Sequence, residues 1–301
     1  MGRWHIGRRT AGHGMACWML LCSGMVAVMP GGQGTACGED AETGATGTAG
    51  PWTLRYQFED GETLRMQVRH RAVSDTTIAG TTQSVETSTD STKVWRVSSA
   101  PEGGMVLEHS VDDVRMHSRT SDRGSVSWDS RDPQPPPPGY EHMPASLGVP
   151  LSRITIDEAG HVLGRRNLRP IPESNSGDLV VVPLPSEPAT IGTEWEVPDE
   201  IVVEVPGGPR KLVRTRLRYR LDAVEDGIAT IRVDTTVLTP VDDPQLQARL
   251  LERIWDGEIL FDIEQGRVLR RITEMDRRVI GFSGPQSSLR YRAEMEERLL
   301  R

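Results

Sequence analysis

At 301 residues, with 36% hydrophobic and 26% charged residues and a formal net charge of −8, the chain has the make-up of a folded soluble protein of one or two domains. That composition excludes an intrinsically disordered or membrane-embedded chain. The acidic balance excludes general nucleic-acid binding. It deepens to −11, with 43 acidic residues against 32 basic ones, once Arg3, Arg8 and Arg9 are removed.

Residues 1–36 read as an export signal. Arg3, Arg8 and Arg9 give a basic start, Met15 to Met29 an apolar centre, and Gly34 and Ala36 small residues for cleavage before Cys37. The apolar centre is shorter than the roughly 20 residues of a spanning helix, so no transmembrane helix is expected in the mature chain. A retained N-terminal anchor is the alternative. Arg8-Arg9 also permits a twin-arginine route. Cys37 is a candidate lipidation site, although Gly34 stands where bacterial lipoproteins carry Leu. Cys17 and Cys22 leave with the signal, so the mature chain has neither an intrachain disulfide nor a thiolate metal cluster.

Residues 37–51, rich in Gly, Thr and Ala, predict a flexible tether. Strict alternation over Leu54, Tyr56 and Phe58, the Asp60-Gly61 turn and alternation over Leu64, Met66 and Val68 predict strand, turn and strand. The Thr/Ser-rich stretch 76–92 predicts a longer, more exposed strand. Residues 92–97 and 105–111 flank Pro101 to Gly104 as a further hairpin. Tyr140 to Leu147, interrupted by Pro144, holds the place of a short helix. In 244–254, Asp242 or Asp243 caps, Pro244 suits the first turn, and Leu246, Leu250, Leu251 and Ile254 share one face. Alternation over Leu289, Tyr291, Ala293 and Met295 predicts a last strand.

One pattern occurs twice. Ile154 to Arg166 returns as Leu260 to Ile272, with Gly160 set on Gly266 and Val162 on Val268. Upstream, Gly61 to Met66 matches Gly192 to Val197, which sets Leu64 on Trp195, and the Trp95 hairpin matches the Tyr219 hairpin with its Glu225-Asp226-Gly227 turn. The fold class expected is mainly β: two sequence-related repeats of antiparallel strands forming a curved sheet or half-barrel, each with one short helix. Residues 52–166 form the first repeat, 167–190 a Pro-rich joint, and 191–301 the second. The Pro tract 135–138 reads as an extended loop in the longer first repeat.

No catalytic, cofactor-binding or metal-ligating set is found. Gly281-Phe282-Ser283-Gly284 lacks the second Gly of a nucleophile elbow and reads as a turn. His70, His109, His117, His142 and His161 are scattered singly. Asp112-Asp113 reads as a strand-end turn and Asp242-Asp243 as a helix cap, rather than as paired carboxylates. Arg214, Arg216, Arg218 and Arg220 share one strand face, either as an anion-facing row or as a solvated face paired with acids such as Glu200 and Glu204. Trp95, Trp195 and Tyr219 are expected in the core.

The stretch Leu54 to Gly61, the turn-Gly hairpins and the duplicated halves resemble an uncharacterised family of exported bacterial proteins. That resemblance implies a duplicated β-rich fold and supplies no catalytic residues. A looser similarity, to periplasmic lipoprotein carriers, implies a cavity between sheet and helix that holds acyl chains. The expectation is a non-enzymatic, exported cell-envelope protein, periplasmic or envelope-associated, without cofactor. It binds an apolar or amphipathic ligand, a lipid for example, or an envelope protein. The lids would be 244–254 and 140–151, over an apolar cavity. A structural or assembly protein without a cavity is the alternative, and a hydrolase ranks last.

Overall fold

The computed structural model describes residues 50–100, 103–169, 181–203 and 210–300. The segment 1–36 expected to be an export signal, Cys37, most of the expected tether, residues 170–180 of the expected joint and Glu204 lie outside the described residues. The strands of the first half are β1 (Thr63–Ile78), β2 (Thr81–Ser99), β3 (Met105–Thr120), β4 (Gly124–Asp129), β5 (Ser152–Ile156) and β6 (Val162–Asn167). Those of the second are β7 (Glu194–Val203), β8 (Lys211–Glu225), β9 (Ile228–Val237), β10 (Asp256–Asp262), β11 (Arg267–Ile280) and β12 (Ser287–Leu299). They build one antiparallel sheet in the order β6-β5-β3-β2-β1-β12-β11-β10-β9-β8-β7, with β4 paired to β3 off that path. β6 and β7 are its edges, so the sheet is open and not a closed barrel.

The two halves pair alike. Leu64 faces Trp95 across β1–β2 as Trp195 faces Tyr219 across β7–β8. Val97, Leu107 and Ile154 form a cross-strand row, and so do Leu221, Ile231 and Ile259. A β-bulge falls at Thr155/Ile156 in one half and at Leu260/Phe261 in the other. Ile156 pairs with Val162 and Phe261 with Val268, so the strand before the second turn sits one residue out of the alignment read from the glycines. The corrected register places Asp157 on Asp262, and both carboxylates close the turn. Asp157 accepts from the Ala159 and His161 N–H groups at 2.9 and 2.8 Å, and Asp262 from the Gln265 N–H at 2.8 Å.

The stretch Leu54 to Phe58 is not the first strand. Its alternation is real, since Leu54, Tyr56 and Phe58 are buried, but the extended backbone joins no ladder. Instead it runs between the two repeated turns. The Tyr56 N–H donates to Glu158 O at 2.9 Å, and the next one, of Gln57, donates to Gly266 O at 3.0 Å. β5 and β11 are five strand steps apart in the sheet, about 24 Å if the sheet were flat. Turns carried by these strands bond to consecutive residues, so the sheet must curl around the segment.

The Tyr56 hydroxyl donates to Val182 O at 3.0 Å and accepts from the Val182 N–H at 2.6 Å. This tie draws part of the joint into the core, where Val181, Val182, Leu184 and Ala189 are buried. Trp95 and Tyr219 are 1% and 2% exposed in the same cluster as Leu54, Phe58, Ile231 and Phe261. Truncating such a ring costs about 3–5 kcal/mol.

Other expected elements shift at their ends. β1 and β2 are long strands joined at Ala79-Gly80, both residues with positive φ (49° and 84°), the geometry of a two-residue hairpin turn. Residues 76–78 therefore end one strand, and 92–97 belong to the second. Asp112-Asp113 is not a strand end but a bulge inside β3: Thr92 pairs with Asp113, Lys93 with Val111, and Asp112 is the extra residue. The helix at 244 forms as α1 (Pro244–Leu250), followed by a 3-10 turn (Leu251–Arg253). Asp243 caps it, accepting from the Gln245 N–H at 2.9 Å. Its counterpart at 140–147 is a single 3-10 turn, Met143–Ser146, with Pro144 in its first positions. The residues around Ser283 form the expected turn between strands, where the Ser283 N–H donates to Ser287 Oγ at 2.8 Å.

The clamp makes a sharp prediction. A Cβ at Gly266 (φ 59°) would stand 2.6 Å from Gln57 N and 2.7 Å from Arg55 O, whereas at Gly61 (φ 82°) it would meet nothing within 4 Å. Gly61→Ala should cost only the strain of a left-handed residue, about 1 kcal/mol, and Gly266→Ala at least about 2 kcal/mol more. Urea unfolding compares them, and equal losses would remove the clamp from the account.

Candidate functional site

One face of the sheet is the inner one, and alternation assigns its residues. On β1 it carries Leu64, Met66, Val68, His70 and Ala72. On β2 it carries Val97, Trp95, Lys93, Ser91, Thr89 and Thr87. The Asp112 bulge reverses the parity of β3, so that Leu107 and His109 face inward before it and Val114 and Met116 after it. The inner face therefore continues into the far end of the sheet, away from the Trp95 core. Two short covers lie there.

α1 covers one side. Leu246 and Leu250 pack on Ile201, Val203 and Val213 of β7 and β8, while Leu251, with Ala248, packs on Ala72, Val279 and Tyr291 of β1, β11 and β12. The helix thus spans both halves, and its apolar face is buried beneath it. The expected apolar cavity under 244–254 is occupied by these side chains. Likewise Trp95 and Tyr219 fill the opposite end, which counts against a cavity there.

The second cover is the 140–147 segment. Tyr140, Met143 and Leu147 pack on Val114, Met116 and Trp128, with the Tyr140 and Trp128 ring centroids 6.4 Å apart. Thr89, Met116 and Trp128 stand side by side on β2, β3 and β4. Thr89 Oγ1 and Trp128 Nε1 are both buried, and neither has a hydrogen-bond partner among the described residues. The large majority of buried side-chain polar atoms are satisfied in folded proteins. Two orphans on β2 and β4, one on each side of Met116 on β3, mark the place where polar groups from outside the chain would fit.

Between the core and the covers lies a buried ion cluster. Glu297 of β12 faces Arg271 of β11 in register and bonds its guanidinium, and Lys93 Nζ reaches the other carboxylate oxygen at 3.1 Å. All three residues are under 9% exposed. Sequence reading missed them, yet a signal exists. Each charge sits at an apolar parity, Lys93 in the series of Trp95 and Val97, Glu297 in that of Tyr291 and Met295.

The residues singled out from sequence are dispersed. Arg214, Arg216, Arg218 and Arg220 lie on the outer face of β8. Arg216 pairs with Glu196 (3.0 Å), Arg218 with Asp234 (3.2 Å) and Arg220 with Asp222 (2.6 Å), and Arg214 stands opposite Glu200. His109 stacks on Trp95 with centroids 4.6 Å apart, His117 bonds Ser127, and His161 bonds Asp157. Among the described residues no group of three or more His, Cys, Asp or Glu side chains is placed to hold a metal ion. No helix among them is long and apolar enough to cross a membrane.

Two predictions follow from the buried groups. Glu297→Gln leaves two inner cations without their carboxylate and should cost about 3–5 kcal/mol. Lys93→Met should cost less, because Arg271 still neutralises Glu297. Denaturant midpoints compare the two, and a Glu297→Gln protein as stable as its parent would contradict the assignment. Burial raises the Tyr56 and Tyr219 hydroxyls well above the usual phenol range. Since the folded state favours the neutral phenol, this contribution is complete below pH about 10 and declines above it. In an absorbance titration these two of the four tyrosines should ionise only with unfolding.

No family model and no curated protein matches the chain. Among solved structures it is similar to lipovitellin, from a structure titled for lipid–protein interactions in lipovitellin, with a TM-score of 0.48 and 11% identity. The match covers 81% of this chain and 26% of that one, so the chain spans about a quarter of that protein's length.

Proposed function

We propose that this is a non-enzymatic, exported cell-envelope protein that holds an amphipathic ligand on the inner face of its curved sheet. The ligand enters by displacing the 140–147 cover from the sheet, its apolar body taking the place of Met143 and Leu147 against Val114 and Met116 and its polar groups reaching Thr89 and Trp128. The observation that carries this reading is the pair of buried, unpartnered polar atoms in an otherwise apolar patch. A buried unsatisfied group costs about 1–3 kcal/mol, and a ligand that satisfies it recovers that loss on binding. The resemblance to exported envelope proteins and to lipoprotein carriers agrees with this reading, as does the signal-like segment 1–36. Cys37 is the candidate for lipid attachment.

The second reading is an assembly protein without a ligand. It is favoured by the filled Trp95 end and by β6, exposed throughout with Leu163 at 62%. The outer side of β6 pairs with no strand among the described residues, an edge open to another chain.

Native mass spectrometry of the protein purified from the envelope of its own host separates the two. The ligand reading expects a mass excess of acyl-bearing size, and Thr89→Val with Trp128→Phe should lower its occupancy about tenfold while leaving the fold intact. A bare mature mass overturns that reading in favour of edge assembly. The same spectrum gives the cleavage site and shows whether Cys37 carries lipid.

A further inference from the structure

The outer face carries a second feature, separate from the inner patch. A polar groove of about 510 Å³ crosses β1, β2 and β3 beside the Asp112 bulge. Four arginines line it: Arg69 and Arg71 from β1, Arg115 from β3 and Arg131 from the turn after β4. The chain as a whole is acidic, so such a concentration of cations is not an average of its surface.

The arginines are held in different ways. Asp129 binds two of them at once, Arg115 at 2.9 Å and Arg131 at 2.8 Å. The Arg131 guanidinium, with Arg115 behind it, holds the Asp129 carboxyl far below the usual carboxylate range. This one acid therefore fixes two cations and neutralises one charge. Arg69 bonds Asp90 at 3.0 Å. Arg71 is exposed, and Glu294 stands opposite it on β12 without a salt bridge; it has no ion pair among the described residues. Asp90, Asp113 and Asp129 stand among the arginines and Glu296 lies 3.7 Å from Arg69, so four carboxylates meet four guanidinium groups, and of the four Arg71 is the one with no ion pair among the described residues. Arg71 is the member open to an incoming anion, while Arg131 spends its Nε and one terminal nitrogen on Asp129 and has only its remaining N–H groups to offer.

The groove is far larger than one phosphate, and its remaining wall is neither apolar nor cationic. Gln67 and Thr92 present neutral amide and hydroxyl groups, and the Asp113 carboxylate is an acceptor for sugar hydroxyls while repelling an anion from its own end of the groove. Planar guanidinium groups take phosphate and sulfate oxygens in paired bonds. We infer that this groove is a binding site for a phosphorylated or sulfated saccharide, the anionic group held by Arg71 and Arg131 and the sugar hydroxyls by Gln67, Thr92 and Asp113. The bulge builds the site, because the extra residue Asp112 re-aims β3 so that Asp113 and Arg115 fall on the groove side.

Calorimetry at low ionic strength tests the assignment with three probes: inorganic phosphate, glucose 6-phosphate and glucose. Glucose 6-phosphate should bind, inorganic phosphate about tenfold more weakly, and glucose below detection. Arg71→Gln and Arg131→Gln should each weaken the sugar phosphate about tenfold, without changing the far-UV spectrum. Arg71 forms no ion pair among the described residues, so its variant reads binding with little cost to the fold. No heat from either anion, or undiminished binding in the Arg71→Gln protein, overturns the site. Equal affinity for inorganic and sugar phosphate overturns its saccharide part.

Discussion

Two consecutive backbone N–H groups, those of Tyr56 and Gln57, are bonded by turns from opposite halves of the chain. Most of the structure depends on that constraint. Strands are stiff along their length, but a sheet bends readily across it, and its own twist gives the bend a direction. Fixing two hairpin turns to one extended segment selects a tightly curled form over a flat one. The curl turns one face of every strand inward and gives Trp95, Tyr219 and Phe261 a common interior. It also explains why both turns end in glycine: at Gly160 and Gly266 a side chain would occupy the space of the clamped segment.

The clamp closes only one end. There the core is filled by side chains, and Val181, Val182, Leu184 and Ala189 complete it. Toward the other end the strands extend past this filling, and the chain covers their inner face with short, dissimilar pieces. α1 is anchored on both halves and seals its side with leucines. The 140–147 segment is a single 3-10 turn over a patch that retains two unsatisfied polar atoms. The difference follows from local sequence, since Pro144 bars a helix before it and Gly148 (φ 67°) and Pro150 follow within six residues, whereas α1 runs on for seven residues from its cap. The two halves thus pair alike but are covered differently, and the first cover lies over two polar atoms without partners among the described residues.

Turn chemistry was legible where the residue type announces the backbone. Asp226-Gly227 has positive φ at both positions and was read correctly; Ala79-Gly80 has nearly the same angles and was missed, because Ala carries no left-handed signal. The Leu54 to Phe58 stretch misled for a related reason. Alternating burial requires an extended chain in a two-sided environment, and sequence does not distinguish a sheet neighbour from turns arriving end-on. The Asp112 bulge was invisible as well. Its two acids suggested a strand end, whereas one of them is the extra residue that reverses the parity of β3 and exposes a new set of side chains on each face.

Periodicity and turn residues by themselves determined the β class, the capped helix at 244 and the core positions of Trp95 and Tyr219, whereas Trp195, expected in the core, is only partly buried against it. These are local properties, set by side-chain alternation and backbone preference within a few residues. The tertiary structure alone decided the curl, the Lys93–Glu297–Arg271 cluster, the inner patch around Thr89 and Trp128, and the arginine groove on the outer face. Each joins residues distant in the chain, and depends on which strands are neighbours and in which register. A one-residue shift at a bulge exchanges the two faces of a strand. Sequence spacing carries that information only once the pairing is known.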